Sequence, residues 1–265
     1  MIKPTVLALI RCLFNPTAWR LLPKLIRRRP QLQFLPVYLA QRREFIAKGG
    51  SIAQLNPILF DYVAQAGVAS GDYFHQDLLV ARLIHEANPE RHVDIGSRID
   101  GFVAHVAAFR PIEIIDVRPL KEIGHKNIRF LQADLMKEGQ GLDEIADSIS
   151  CLNAIEHFGL GRYGDPITPD GHLRGFANLV RMLKPGGKLY ISFPIGPRTE
   201  VLFNAHRVFH PEDVLGWPTG GAPLELLRFD YVDKKGDLHL EASLGSFGNL
   251  SDYSCGIYVL RKRNA

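Results

Sequence analysis

The sequence predicts an α/β protein built on a doubly wound, Rossmann-like, mostly parallel sheet. Three observations carry that expectation. Hydrophobic residues make up 46% and charged residues 23%, ordinary proportions for a chain that buries a sizeable core. From residue 90 onward, short β-rich runs alternate with helical stretches, the pattern of parallel strands covered by helices on both faces. The last two β-rich runs, Leu226–Tyr231 and Gly256–Lys262, have no convincing helix between them, so they close one edge as an antiparallel pair.

The 265 residues suggest one large domain with an appendage. The formal charge of +4 is unevenly spread. Residues 1–48 hold ten Lys/Arg against Glu44 alone, a charge of +9, whereas residues 49–265 carry −5. A domain that grips phosphate backbones is basic over its folded part, so nucleic acid is disfavoured. Residues 1–70 read as a basic helical appendage and 71–265 as the main domain. In the appendage, Trp19, Leu22, Leu25 and Ile26 share one helical face, with Arg20, Lys24 and Arg27 to Arg29 largely off it. Such a segment suits peripheral contact with an anionic bilayer through residues 1–30, or packing on the body or on a second subunit. No run reaches the roughly 18 apolar residues of a spanning helix. The N-terminus begins like a signal peptide, but Arg11 interrupts it and no cleavage site follows before Arg20. Three scattered cysteines fit a reduced compartment. The expectation is a cytoplasmic protein, with attachment at the inner membrane left open.

Residues 31–70 look helical but weakly patterned, broken at Gly49-Gly50. Asp72 is placed to cap a helix whose apolar face includes Leu79, Leu83 and Ile84. Strands are expected at His92–Ile95, Ile112–Asp116, Ile128–Gln132, Ser148–Leu152 and Lys188–Phe193. Helices are expected near Phe102–Phe109 and Phe176–Leu183, the second stopped by Lys184-Pro-Gly-Gly187.

In such sheets ligands bind beyond the carboxyl ends of the strands. Asp94-Ile-Gly96-Ser97-Arg98-Ile99-Asp100-Gly101 spans the end of the first strand and the turn beyond it. Asp116 ends the second strand, 20 residues past Gly96, where an acid can accept both hydroxyls of a ribose. Asp134 follows the third strand and can take an adenine amino group. Asn153-Ala-Ile-Glu156-His157 follows the fourth. Three acids at successive strand ends fit a nucleoside-bearing cofactor, although each alone is commonly a helix cap. The glycine loop is not GxGxxG, and no Walker A sequence occurs.

These residues resemble class I S-adenosylmethionine-dependent methyltransferases over roughly residues 72–263. Val93-Asp-Ile-Gly96 looks like that family's first motif, and Leu183-Lys-Pro-Gly-Gly-Lys-Leu189 like the turn into its fifth strand. The resemblance implies a seven-stranded sheet with an antiparallel last strand, S-adenosyl-L-methionine as cofactor, and Tyr73, Asp94, Gly96, Ser97, Gly101, Asp116, Asp134 and Asn153 as its binding residues. One departure stands out: Arg98 and Asp100 occupy the second and third glycine positions of the motif. Either they point away from the pocket, or the pocket is altered. More narrowly, Tyr73–Asp77, Asn153–Asp165, Asn204–Phe209 and Tyr231–Asp237 are similar to an uncharacterised bacterial subfamily, a domain of unknown function associated with surface-glycan assembly. That similarity implies a sugar or lipid-linked glycan as acceptor.

Methyl transfer to a hydroxyl needs alignment and a base. His157 is the leading candidate, then His206 and Asp165; for each histidine, a purely structural hydrogen-bonding role competes. Asp165, Asp170 and His172 lie close in sequence, but Asp/Gly-rich loops commonly just turn, and His206 and His210 lack the HExxH acid, so no metal is expected. Two other functions compete. One is a non-catalytic protein of the same fold that organises a membrane-associated glycan assembly complex, alone or as a homo-oligomer. The other is a nucleotide-sugar transferase, disfavoured because no Asp-x-Asp occurs.

Overall fold

A computed structural model describes residues 32–121, 124–139, 141–247 and 253–264. The basic segment 1–30 lies outside them. The chain groups into two compact units, Met1–Val68 and Ala69–Ala265. In the first, helix α1 (Leu35–Ala47) starts with proline in its first turn, where no backbone donor is missed. Leu35 and Leu39, one turn apart, bury against Leu59. The helical expectation for 31–70 holds only for α1; Gly49, at φ +91°, ends it, and residues 51–70 form no helix or strand. No helix among the described residues is long and apolar enough to cross a membrane.

In the second unit, α2 (Asp72–Ala87) is capped by Gly71 at φ +92°, not by Asp72, which is the first helical residue. The backbone leaves the preceding turn in a conformation only glycine adopts without strain, and that moves the cap back one place. Leu79, Val80, Ala81 and Ile84 bury, and Leu83 packs beside them.

Strands β1 (His92–Ile95), β2 (Ile112–Asp116) and β3 (Ile128–Gln132) follow, with helix α3 (Ala104–Ala107) after β1, entered through a wide turn at Ile99–Val103. Then come β4 (Ala146–Leu152), α4 (Gly171–Met182) and β5 (Leu183–Ile195). Strands β6 (Glu200–Leu202) and β7 (His206–Val208) form a separate hairpin. The main sheet is completed by β8 (Leu224–Val232), β9 (Leu238–His239) and β10 (Ser254–Lys262).

The main sheet has the order β3-β2-β1-β4-β5-β10-β8-β9. Strands β1 to β5 pair in parallel, and β10 runs antiparallel to both β5 and β8. The reversed strand is therefore inserted between β5 and β8, and the two-residue β9 adds an eighth strand to the expected seven. Helices α2 and α3 cover one face and α4 the other. The β2–β3 and β3–β4 crossovers hold no helix among the described residues.

Alternation along the central strand explains its burial. Val93 and Ile95 join the core under α4, while His92 and Asp94 face the other way. Those two polar groups are fully enclosed and meet β4. His92 Nδ1 lies 2.8 Å from Ser148 Oγ, and His92 Nε2 lies 3.1 Å from Ser150 Oγ. Ser150 in turn donates to Asp94 Oδ1 at 2.5 Å. Burial holds the His92 pKa down, to about 3, so the ring is neutral. With the Ser150 hydroxyl proton given to Asp94, Nε2–H donates to Ser150 and Nδ1 accepts from Ser148.

An aromatic cluster anchors the chain after β5. Phe193 stacks on Tyr258 at 5.0 Å, meets Phe209 edge-on at 5.1 Å and lies 5.4 Å from Trp217. Replacing the fully buried Phe193 with alanine should lower unfolding free energy by about 3–5 kcal/mol, as read from urea denaturation midpoints.

Candidate functional site

A cleft opens at the carboxyl ends of β1 to β4. Each strand delivers one element to it: Gly96 past β1, Asp116 at the end of β2, Asp134 past β3 and Asn153 past β4. Val117, Leu135, Met136 and Phe158 supply apolar wall, and the loop after β4 adds His157, Tyr163 and Asp165. The chain leaves β1 through Gly96 at φ +72°, and a β-carbon there would lie 3.0 Å from that of Ala154. A side chain would strain the backbone and press on the cleft wall.

The acids differ in availability. Asp94 is fully buried and does not line the cleft. It accepts from Ser97 N at 3.1 Å, Ser97 Oγ at 2.8 Å and Ser150 Oγ, and burial raises its pKa to about 7. Ser97 is spent on the same carboxyl. Asp134 reaches the cleft and accepts from Met136 N at 3.0 Å. Asp116 also reaches it, but its carboxylate is held by Arg118, with Nη2 2.5 Å from Oδ2. The Arg118 guanidinium carbon also lies 4.6 Å from the centre of the Tyr163 ring.

Gly101 lies outside the cleft, packed so closely that a β-carbon would come 2.9 Å from Asp77 Oδ2. Tyr73 is half-exposed on α2 and is not part of the cleft wall. Arg98 and Asp100 pair with each other, Nη2 to Oδ2 at 2.9 Å, with side chains 65% and 75% exposed. They point away, so the departure from the glycine pattern leaves the cleft unobstructed. Asn153 sits at φ +46°; its backbone N–H donates to Ser192, and its side-chain oxygen faces the Cys255 thiol at 3.6 Å.

The loop from Glu156 to Asp170 is tightly specified. Arg207, almost fully buried, donates to the carbonyls of Phe158 at 2.6 Å, Pro169 at 3.1 Å and Glu156 at 3.3 Å. Asp165 accepts from the backbone of Gly159, Gly161 and Tyr163 at 2.8, 3.2 and 3.1 Å. Both its oxygens are thus occupied in shaping the turn, which leaves little capacity for proton transfer. Gly171 and Gly175 on α4 form a groove for Phe158, and a β-carbon at Gly175 would lie 2.5 Å from its ring. Asp170 pairs with Arg174, and His172 packs against Phe209 and Trp217. Among the described residues, no three His, Cys, Asp or Glu side chains come together to hold a metal.

His157 lines the cleft and donates from Nδ1 to the Ala205 carbonyl at 2.7 Å, which leaves the lone pair on Nε2. That atom lies 3.5 Å from Glu156 Oε1. Burial lowers the His157 pKa to about 4 and raises the Glu156 pKa to about 8, so this is a neutral contact rather than an ion pair. Glu156 Oε2 is buried with no hydrogen-bond partner among the described residues. His206 lies at the start of β7, its ring centre 6.4 Å from that of His157, just outside the cleft wall. The sequence placed Glu156 only in the segment after the fourth strand and did not single out Arg118 or Tyr163. The Asp-x-Arg spacing at 116–118, two residues apart on an extended strand end, was the available signal for Arg118.

Linkage gives a sign. A glutamate whose folded pKa exceeds its unfolded value stabilises the fold below about pH 4.5, and that contribution is lost as pH rises towards 8. The neutral histidines 92, 157 and 172 act in the opposite direction, below about 6.5. Between pH 7 and 8 Glu156 contributes most, ahead of Asp94, with a slope that falls from about 1.2 kcal/mol per pH unit at pH 7 to about 0.7 at pH 8. Glu156→Gln should flatten the decline in unfolding free energy over that interval, measured by denaturant titration at each pH.

Comparison with known proteins adds the following. Residues 115–214 match a family described as "Caenorhabditis protein of unknown function, DUF268". Its description names Caenorhabditis rather than bacteria and says nothing of glycans. No curated protein matches the chain. Among solved structures, the [4+2]-cyclase SpnF is similar with a TM-score of 0.51 at 17% identity, over 71% of this chain and 82% of that one. The 1,6-didemethyltoxoflavin-N1-methyltransferase of Burkholderia thailandensis, solved with 1,6-didemethyltoxoflavin and S-adenosylhomocysteine, is similar with a TM-score of 0.51 at 15% identity, over 71% and 79%. The chain has the α/β Rossmann-like methyltransferase fold, with a mostly parallel central sheet and antiparallel final strands.

Proposed function

We propose that the chain is an S-adenosylmethionine-dependent methyltransferase. The observation that carries this reading is the convergence of Asp116 and Asp134 on one cleft beside Gly96. The donor set fits the nucleoside half of the cofactor: a carboxylate for the ribose diol, a second for the adenine amino group, and apolar wall from Val117, Leu135, Met136 and Phe158 for the base. When bound, the cofactor supplies a methyl group activated on a sulfonium. The chain's own residues do the rest. His157, neutral and oriented by the Ala205 carbonyl, holds a lone pair at Nε2 for an acceptor proton. Its neighbour Glu156, uncharged in the fold, lies 3.5 Å from that atom and leaves the ring neutral, with its lone pair free of a proton, where a carboxylate would favour the imidazolium. His206, at the start of β7, is the second candidate base.

For the acceptor, we favour an oxygen of a sugar or lipid-linked glycan, which rests on the similarity of segments 73–77, 153–165, 204–209 and 231–237 to the glycan-associated subfamily. A cytoplasmic site of action, with residues 1–30 touching the inner membrane or a second subunit, belongs to the same proposal. A second reading is a non-catalytic organiser with this fold. The closed Asp116–Arg118 pair favours it, and a fold neighbour described as a cyclase illustrates that the architecture does not fix the reaction.

Calorimetry with S-adenosylhomocysteine decides between the two. Binding to the unmutated chain, weakened about tenfold or more by Asp116→Ala, is the expected result. Absence of binding would sink the methyltransferase reading, and equal binding by both proteins would remove Asp116 from the ribose contact.

A further inference from the structure

Asp116 is largely taken up by its neighbour Arg118. Its Oδ1 accepts from the Arg118 backbone N at 2.8 Å and from Nε at 3.0 Å. Its Oδ2 accepts from Nη2 at 2.5 Å and from Nε at 3.2 Å. The one Nε hydrogen is shared between both oxygens, so Arg118 spends three hydrogens on a carboxylate with about four acceptor sites and leaves too little for both hydroxyls of a ribose. A ribose diol must therefore displace the guanidinium before it can bind.

The displaced group has a place to go. Tyr163, against which Arg118 already lies, also carries Arg162, whose guanidinium carbon is 5.3 Å from the same ring centre. Arg162 is held in position by the Ala205 carbonyl at 2.8 Å and makes no ion pair among the described residues. The nearby acids do not compensate it. Asp165 is turned onto three backbone N–H groups, and Glu156 is buried and uncharged. Freeing Arg118 would leave two guanidiniums beside one aromatic ring with no carboxylate between them. That arrangement recognises an oxyanion, because planar guanidinium forks pair with phosphate or carboxylate oxygens.

We propose that donor binding at Asp116 releases Arg118 and so assembles, with Arg162 at Tyr163, a site for an acceptor that carries a phosphate or carboxylate group. This deepens the methyltransferase reading and rests on it. Donor and anionic acceptor then favour each other's binding, since each removes the guanidinium from, or the need for, the Asp116 pair.

The test is calorimetric, with inorganic phosphate as one probe and acetate as the other, each titrated with and without saturating S-adenosylhomocysteine. At least one anion should bind about fivefold tighter in its presence, and which of the two responds identifies the anion class. Arg162→Gln and Arg118→Gln should each abolish that enhancement. Arg118→Gln should also bind S-adenosylhomocysteine about fivefold tighter than the unmutated chain, because the internal competitor is gone. Both arginines are exposed enough to be replaced without opening the core, and unchanged melting temperatures check this. Anion affinities indifferent to S-adenosylhomocysteine, with equal S-adenosylhomocysteine binding by the unmutated and Arg118→Gln proteins, would overturn the inference and leave the methyltransferase reading intact. No S-adenosylhomocysteine binding by either protein would overturn both.

Discussion

The structure depends on a buried polar ladder between its two central strands. His92 and Asp94 project from β1 into the same face as Ser148 and Ser150 of β4, and the four side chains are hydrogen-bonded to one another. Shifting the register by one residue would send the two strands' polar groups to opposite faces and leave a buried carboxyl and an imidazole unpaired, at a cost of several kcal/mol. The ladder therefore fixes which residue of β1 stands beside which residue of β4. With that register set, Gly96 and Asn153 leave their strands side by side, and the cleft forms between them. Asp94 thus serves the site from beneath, by holding its floor in place, rather than from within it.

The loop after β4 is specified by a different device. A polar chain segment that arches over a cleft needs partners for its carbonyls and amides. Arg207 serves three of the carbonyls and Asp165 serves three of the amides, from opposite sides of the loop. The glycines allow the turns and the close approach of Phe158 to α4. The effect is to present His157 and Tyr163 on a scaffold whose shape does not depend on a ligand.

Much of the fold was legible because strand ends carry local signals. The bounds of β1, β2 and β3 follow from β-branched runs set between turn residues, and they match the structure. The start of α2 did not, because a positive-φ glycine displaced the expected cap. In the site, the acids at strand ends were readable from topology alone. What each acid is doing was not. Asp94 meets a serine 56 residues away, and Asp165 folds back on its own loop. Arg118 was visible two places past Asp116, but only geometry shows that it grips the carboxylate through both oxygens. Sequence spacing names the groups that reach a cleft; the competition among them for hydrogen bonds is settled in space.

The far end of the sheet has its own consequence. Beyond β8 the sheet stops at β9, a strand of two residues whose His239 stacks flat on Tyr231 at 4.3 Å and is tied to Asp233. That strand covers only Tyr231 and Val232 of the nine-residue β8, so β8 itself, with Arg228 at its centre, forms most of that border. The opposite edge, β3, carries Arg129 as its second residue. An arginine on each border strand, Arg228 and Arg129, blunts edge-to-edge β-pairing of the main sheet.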